Sequence, residues 1–261
     1  MNKKKQALLT ILETKAIYPV FQPIVDLQNG NVVAYESLSR IESKNIDINI
    51  EELFCLSEAY GCVWKLEKLC RDKVLKASMN KPSGTKIFLN VDGQIFQDSN
   101  FISGFTNRKL EKFGLLNEDI VFEITERTDI ENYVLLQAIM NHYIDQGYQI
   151  ALDDVGAGYS GLNRVVNTTP NYLKADIELV RNIHLSKSKQ SMMKLLVEYC
   201  DEMGLKLIAE GIETQEELEC ICNLHVHYGQ GYYLGIPDCK FNGVSSQALQ
   251  YLMNIHGMIK S

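Results

Sequence analysis

The sequence predicts an α/β fold and, within that class, a closed (β/α)8 barrel. Three observations carry this expectation. Short apolar runs ending in a polar or charged residue recur nearly eight times. Stretches with helical spacing lie between them. No low-complexity linker divides the 261 residues, and the five Pro do not cluster, which suits one barrel of about 250 residues. Short apolar runs bounded by turn signals read as strands buried on both faces. Their alternation with helices implies parallel pairing through right-handed crossovers. An open doubly wound sheet is the alternative left by the pattern.

The elements follow in order. Residues 18–25 form the first apolar run, and Val32-Val33-Ala34-Tyr35 the second, ending at Glu36. Residues 50–78 are long enough for two helices. Ile87-Phe88-Leu89 ends at Asn90, and Ile120-Val121-Phe122 ends at Glu123. Residues 130–146 place Ile130, Val134, Leu135, Ala138 and Ile139 at helical spacing, with Gly147 where a C-cap is expected. Ile150-Ala151-Leu152 ends at Asp153 and Asp154, and Tyr172-Leu173 ends at Lys174. Residues 192–203 read as a helix closed by Gly204. Leu207-Ile208-Ala209 ends at Glu210, Thr214 and Glu217 resemble a capping box, and residues 228–234 complete the set.

Composition excludes several classes. Lys+Arg number 26 and Asp+Glu 33, a formal net charge of −7, which argues against a general DNA or RNA binder. An apolar fraction of 46% argues against disorder. The seven Cys form no CxxC pair and read as reduced thiols. Cys220 and Cys222 are a weak candidate for a soft metal. Lys3, Lys4 and Lys5 precede an apolar run too short for a signal peptide, ended by Glu13. No run reaches the roughly 18 apolar residues of a membrane span. The expectation is a cytoplasmic protein without a membrane partner.

In a barrel of this type the active site lies at the C-terminal strand ends. Glu36, Asn90, Glu123, Asp153, Asp154, Lys174 and Glu210 therefore converge on one mouth, with Glu213 and Gln230 nearby. Clustered carboxylates repel unless cations sit among them. An all-oxygen set of Glu, Asp and Asn suits Mg²⁺ or Mn²⁺, whereas zinc calls for His or Cys. His225 and His227 read as ordinary residues before the last strand. Adjacent Asp153 and Asp154 can serve two ions, a device for phosphodiester hydrolysis. Lys174 adds a fixed positive charge for a phosphate or an attacking water. The loop beginning at Gly156 has no P-loop lysine and reads as a flank of the metal site. The residues alone therefore point to metal-dependent hydrolysis of a phosphorylated substrate.

The same residues carry a family resemblance. Gln22-Pro23-Ile24-Val25 resembles QPIV, and Glu36-Ser37-Leu38-Ser39-Arg40 resembles EALxR. Leu89-Asn90-Val91 and Phe122-Glu123-Ile124-Thr125-Glu126 resemble the next two family motifs, and residues 153–160 resemble DDFGTGYS. Leu173-Lys174-Ala175-Asp176, Ala209-Glu210-Gly211-Ile212-Glu213-Thr214 and Gln230-Gly231-Tyr232-Tyr233 complete the order with LKID, AEGVET and QGY. The set resembles the EAL domain, the cyclic di-GMP phosphodiesterase family. The resemblance implies one domain over 1–261, with a core of about 16–240, folded as a modified TIM-type barrel whose first strand is antiparallel. It implies hydrolysis of cyclic di-GMP to linear pGpG with two Mg²⁺ or Mn²⁺ ions per site, by a homodimer.

Carried over by position, the resemblance gives Glu36, Asn90, Glu123 and Asp153 one ion. Asp153 and Asp154 link to the second, with Gln230 near its water shell. Lys174 orients the attacking water, and Glu210 is the general base. Arg40 meets a phosphate and Gln22 lies near the nucleotide. Glu126 pins the loop after Asp154, and Glu213 and Asp176 support the site. Ser37, Asp92, Val155, Ala157, Ala175, Leu179 and Ile236 depart from the family pattern. Asp92 would add a carboxylate beside Asn90 if the strand continued. No departure removes an expected metal ligand, so the expectation is an active enzyme rather than a degenerate binding module.

Overall fold

The computed structural model of the protein describes residues 3–42, 47–124, 133–156 and 160–255. Its eight strands are β1 (Ile17–Asp26), β2 (Val32–Ile41), β3 (Lys86–Val91), β4 (Ile120–Ile124), β5 (Gln149–Val155), β6 (Tyr172–Ala175), β7 (Lys206–Ala209) and β8 (Tyr228–Gly229). They close into a barrel in chain order. β1 is antiparallel to both its neighbours, and every other pair is parallel. The reason is local. A parallel return needs a crossover of about a dozen residues or more, and residues 27–31 are too few. They form a turn instead. The Asp26 carboxylate accepts from Gln28 N at 2.8 Å and Asn29 Nδ2 at 3.0 Å, and Gly30 takes φ 71°.

The helices are α1 (Lys3–Thr14), α2 (Ile50–Ala59), α3 (Val63–Ala77), α4 (Phe105–Phe113), α5 (Tyr133–Ile144), α6 (Ser160–Val166), α7 (Ile177–Val180), α8 (Lys187–Met203), α9 (Gln215–Asn223) and α10 (Ser246–Ile255). Residues 50–78 do form two helices. Gly204 closes α8 in the left-handed conformation, and Thr214 with Glu217 forms the capping box of α9. Gly147 follows α5 at φ 84°. The start of the expected 130–146 helix lies outside the described residues.

Among the described residues, three apolar clusters hold the fold together. The largest fills the shell between the strands and the helices. A second fills the barrel floor with Ile24, Ala34, Phe88, Val121, Ala151, Tyr172 and Ile208. A third packs Leu8, Ile11 and Leu12 of α1 against Leu53 and Leu66 of α2 and α3.

Two strand limits differ from expectation. β2 runs on through Glu36 to Ile41, because the long β1 pairs with it as far as Ile17↔Ile41. The last strand is Tyr228–Gly229 rather than 228–234. Gly231 then turns the chain at φ 158°, where an added Cβ would lie 2.2 Å from the Ile212 backbone. β8 therefore holds each neighbour through two residue pairs.

Candidate active site

The barrel floor explains why polar side chains meet above it. Side chains alternate along a strand, so the next residue on the same face is two positions on. Two positions beyond Ala34, Phe88, Val121, Ala151, Tyr172 and Ile208 stand Glu36, Asn90, Glu123, Asp153, Lys174 and Glu210. Because β1 runs backwards, its partner above Ile24 is two positions earlier, Gln22, directly opposite Glu36. Gln230 bears the same relation to Tyr228 just past β8. An inner ring of apolar residues thus carries an outer ring of charges.

Lys174 is the centre of that ring and is 1% exposed. Its Nζ donates to Glu123 Oε1 at 2.6 Å and lies 2.5 Å from Glu210 Oε1, 3.5 Å from Asp153 Oδ1 and 3.6 Å from Glu36 Oε2. Asn90 Nδ2 donates to Glu36 Oε1 at 3.3 Å. Gln230 Nε2 donates to Glu36 Oε2 and, at 3.2 Å, to Gln22 Oε1, while Gln22 Nε2 donates to the Gly235 carbonyl at 3.1 Å. Gln230 therefore sits against Glu36 and Gln22.

Strict alternation would send Asp154 away from Asp153. The β5–β6 register shifts between Leu152 and Val155, and Asp154 adopts φ 55°. A bulge of this kind re-aims a side chain at the cost of local strain. As a result, oxygens of Asp153, Asp154 and Glu210 lie within 4.8 Å of one another, as do oxygens of Glu36, Glu123 and Glu210. Glu210 belongs to both groups.

Burial pushes the Glu123 carboxyl well above its ordinary range, and the neighbouring carboxylates add to this against the pull of Lys174. Burial does the same to Glu210. For Lys174, burial alone would lower the pKa, but Asp153, Glu123, Glu210 and Glu36 together hold it well above the usual lysine value. One ammonium among four carboxylates leaves the mouth short of positive charge. Glu123 Oε2 and Asp153 Oδ1 are buried without a hydrogen bond. Hard oxygen donors, clustered and under-paired, fit divalent cations such as Mg²⁺ or Mn²⁺.

The remaining expected positions divide. Arg40 lines the cavity in front of Asn90 and Asp153, and its Nη1 donates to the Ser39 carbonyl at 3.0 Å. Asp176, just past the C-terminal end of β6, caps α7 by accepting from Glu178 N at 2.6 Å. Glu213 is 44% exposed and lies 3.3 Å from Arg181. Glu126 and Ala157 lie outside the described residues. Ser37 points away from Glu36 and donates to the Phe88 carbonyl at 2.8 Å, so its hydroxyl is satisfied. Asp92 does not extend β3, which ends at Val91. Its carboxylate turns back to cap Gln94 N at 2.9 Å and adds no ligand beside Asn90. His227 is structural, with Nδ1 accepting from Leu207 N at 3.2 Å and Nε2 2.9 Å from Asp201. All seven cysteines are free thiols, and no metal-competent group among the described residues includes one.

Other residues around the mouth were not foreseen. Glu67 and Arg71 of α3 form a buried ion pair at 2.6 Å. Glu67 also accepts from Asp92 N at 2.7 Å, and Arg71 donates to Tyr143 Oη at 3.0 Å. Their spacing of four was the available signal, but on a helix it reads equally as a solvated surface pair. Two hollows flank the carboxylates and share Glu36. One of about 420 Å³ runs from Asp153 toward α2, and one of about 280 Å³ runs toward Gln22, Glu210 and Tyr232.

The EAL domain family profile matches residues 5–237. The probable cyclic di-GMP phosphodiesterase PdeG of Escherichia coli is 25% identical over 238 residues, which cover 89% of this chain and 47% of that protein. Cyclic di-GMP phosphodiesterase PdeL, also of Escherichia coli, is 27% identical over 246 residues, covering 90% of this chain and 67% of that one. The chain thus spans about half the length of the first and two thirds of the second. The crystal structure of a standalone versatile EAL protein from Vibrio cholerae O395, in its c-di-GMP bound form, superposes with a TM-score of 0.75 at 26% identity, covering 89% of this chain and 97% of that one.

Proposed function

The chain belongs to the EAL domain family, and on that premise we propose that it hydrolyses one phosphodiester bond of cyclic di-GMP, giving linear pGpG. The observation that carries the reading is the under-paired carboxylate ring around Lys174, set between two hollows. A ligand with two bases and a central phosphate ring matches that layout. Glu36, Asn90, Glu123 and Asp153 would hold one ion, and Asp153 with Asp154 the second. When bound, Mg²⁺ or Mn²⁺ supplies positive charge to the scissile phosphate and acidifies a water.

The chain's own residues supply the rest. Glu210 is the general base. Its carboxyl is raised by burial, the direction that matches a base to neutral pH. Lys174 holds Oε1 of Glu210, so the proton of the attacking water goes to Oε2. Lys174 also orients that water, and Arg40 takes the phosphate oxygens that do not react. Gln22 and Gln230 keep Glu36 in one orientation. The reading includes a homodimer and a cytoplasmic location, with no nucleic-acid polymer as partner. Among the described residues, no helix is long and apolar enough to cross a membrane.

The test is purified protein mixed with cyclic di-GMP and Mg²⁺ or Mn²⁺, with pGpG followed by chromatography. Binding without product in either ion would leave a non-hydrolytic binding module instead. Glu210→Gln should keep binding and lose about 10²- to 10⁴-fold in turnover, and near-normal turnover would remove Glu210 from the base role.

A further inference from the structure

The mouth end of β3 is held unevenly. On the β4 side its ladder runs past Asn90 to Val91↔Ile124, but on the β2 side it stops at Ser37↔Leu89. The Asn90 side chain is exposed and meets Glu36 at 3.3 Å. A side chain held so lightly takes its place from its backbone. One residue further on β3 ends, and the chain turns into the short 3₁₀ helix Gly93–Gln97.

α3 supplies the support that β2 does not. Glu67 is 3% exposed, and its Oε1 accepts from Asp92 N at 2.7 Å, two residues past Asn90. Its Oε2 accepts from Arg71 Nη2 at 2.6 Å. Arg71 donates in turn to Thr106 Oγ1 of α4 at 3.3 Å and to Tyr143 Oη of α5 at 3.0 Å, so two further helices brace the pair. The loop after β3 answers from its other end. Cys62 gives the start of α3 no side-chain cap, and Asp98 Oδ2 accepts from Trp64 N at 3.2 Å instead. Loop and helix therefore clasp each other at two points. A buried ion pair adds little net stability over apolar residues of similar volume. What it provides here is an oriented oxygen at Asp92 N, where an apolar side chain would leave that N–H unpaired.

We propose that Glu67 is a positioning residue for the metal site: through Asp92 N it sets the end of β3 and thereby aims Asn90 at the carboxylate ring. This rests on the preceding reading of Asn90 as a metal ligand. Groups that orient a ligand without touching the ion carry about 10- to 100-fold in metal affinity. Glu67 acts on the backbone beside Asn90 rather than on its side chain, so the lower end of that range applies. Arg71 acts one step further back, by holding Glu67 in place.

The experiment measures Mn²⁺ binding to the substrate-free protein by electron paramagnetic resonance, with turnover of cyclic di-GMP and urea unfolding alongside. Arg71→Met is combined with Glu67→Gln and, separately, with Glu67→Met. Both double variants lack the ion pair, and only the one with Gln keeps an oxygen for Asp92 N. The double with Met should bind Mn²⁺ about 10-fold more weakly than the double with Gln. In an Asn90→Ala background the same exchange should leave Mn²⁺ affinity unchanged, because the side chain it aims is gone. Glu67→Gln alone covers the case of a double variant that does not fold. It should lose stability yet keep the wild-type Mn²⁺ affinity. Equal affinity in the two doubles, or the same loss with and without Asn90, overturns the positioning role and spares the metal site. Weakened Mn²⁺ binding in Glu67→Gln overturns it as well. An Asn90→Ala protein with wild-type Mn²⁺ affinity removes Asn90 as a ligand and the role of Glu67 with it, and a wild type that binds no Mn²⁺ overturns both. A wild type that binds Mn²⁺ without turning over cyclic di-GMP removes the enzyme reading, and the Mn²⁺ ratios then decide on Glu67 alone.

Discussion

Replacing Lys174 by Met tests the charge arrangement of the mouth directly. The ammonium lies within 3.6 Å of four carboxylates and is 1% exposed. At the effective dielectric typical of proteins, each such pair attracts by roughly 4 kcal/mol or more, much of it spent on desolvation. Removing one partner of a buried ion pair costs about 3–5 kcal/mol, because the charge left behind is uncompensated. For a chain of this size each kcal/mol lowers Tm by about 2–4 °C. The metal-free Lys174→Met protein should therefore melt about 6–20 °C below the wild type at pH 8.

The deficit should depend on pH. Glu123 and Glu210 already have raised folded-state pKa values, and loss of the cation raises them further. A carboxyl raised in the folded state adds stability below its unfolded pKa of about 4.3, and that stability is lost as pH rises through the folded value. The gap between variant and wild type should shrink as pH falls from 8 toward 5. Calorimetry in a chelating buffer measures both quantities. A gap under about 1 kcal/mol at pH 8, or one unchanged at pH 5, would refute the claim that Lys174 neutralises the ring.

Two further predictions concern the frame. Glu217 is buried and accepts from the backbone N–H of Asn182, Glu213 and Thr214 at 2.8, 2.9 and 3.1 Å. Burial alone would raise its pKa, but these donors lower it overall. Its contribution is thus present above the unfolded pKa of about 4.3 and lost as pH falls through the lowered value. The urea midpoint of the wild type should drop between pH 5 and 3 more than that of Glu217→Gln, which starts about 1.5–3 kcal/mol lower. Gly231→Ala should lose at least about 1–3 kcal/mol and displace the adjacent Gln230, because its Cβ would meet the Ile212 backbone at 2.2 Å. Gly243→Ala, with nothing within 4 Å, is the matched control by thermal melting.

Much of the site could be read from strand-end residues, because alternation ties each one to an apolar residue two positions earlier. The closure of the ring was less accessible. The direction of β1 depends on a turn in residues 27–31, and apolar runs carry no sign of direction. Whether Asp92 joins Asn90 depends on where β3 ends, and β3 stops one residue before it, with the carboxylate folded back on its own turn. The pairing of Asp153 with Asp154 works against simple alternation and depends on a bulge that periodicity does not encode. Glu67 and Arg71 look like a solvated pair in sequence, and only the placement of Thr106 and Tyr143 over α3 buries them. The cavity wall on α2 is a tertiary property, since nothing in the spacing of Glu51 and Phe54 says what they face.

The weak attachment of β8 bears on how the ring holds together over time. Two residue pairs on each side form a short seam in a barrel whose β1–β2 ladder spans ten-residue strands. Local opening begins where the fewest backbone contacts must break, so this seam is where the ring comes apart first. Gln22 and Gln230 face each other across it, and both lean on Glu36 or its contacts. A ligand gripping that corner binds only the closed ring, so by mass action each bound molecule also slows the ring's opening. Occupancy and lifetime of the closed barrel then rise and fall together, and the protein is most open to proteolysis when such a ligand is scarce.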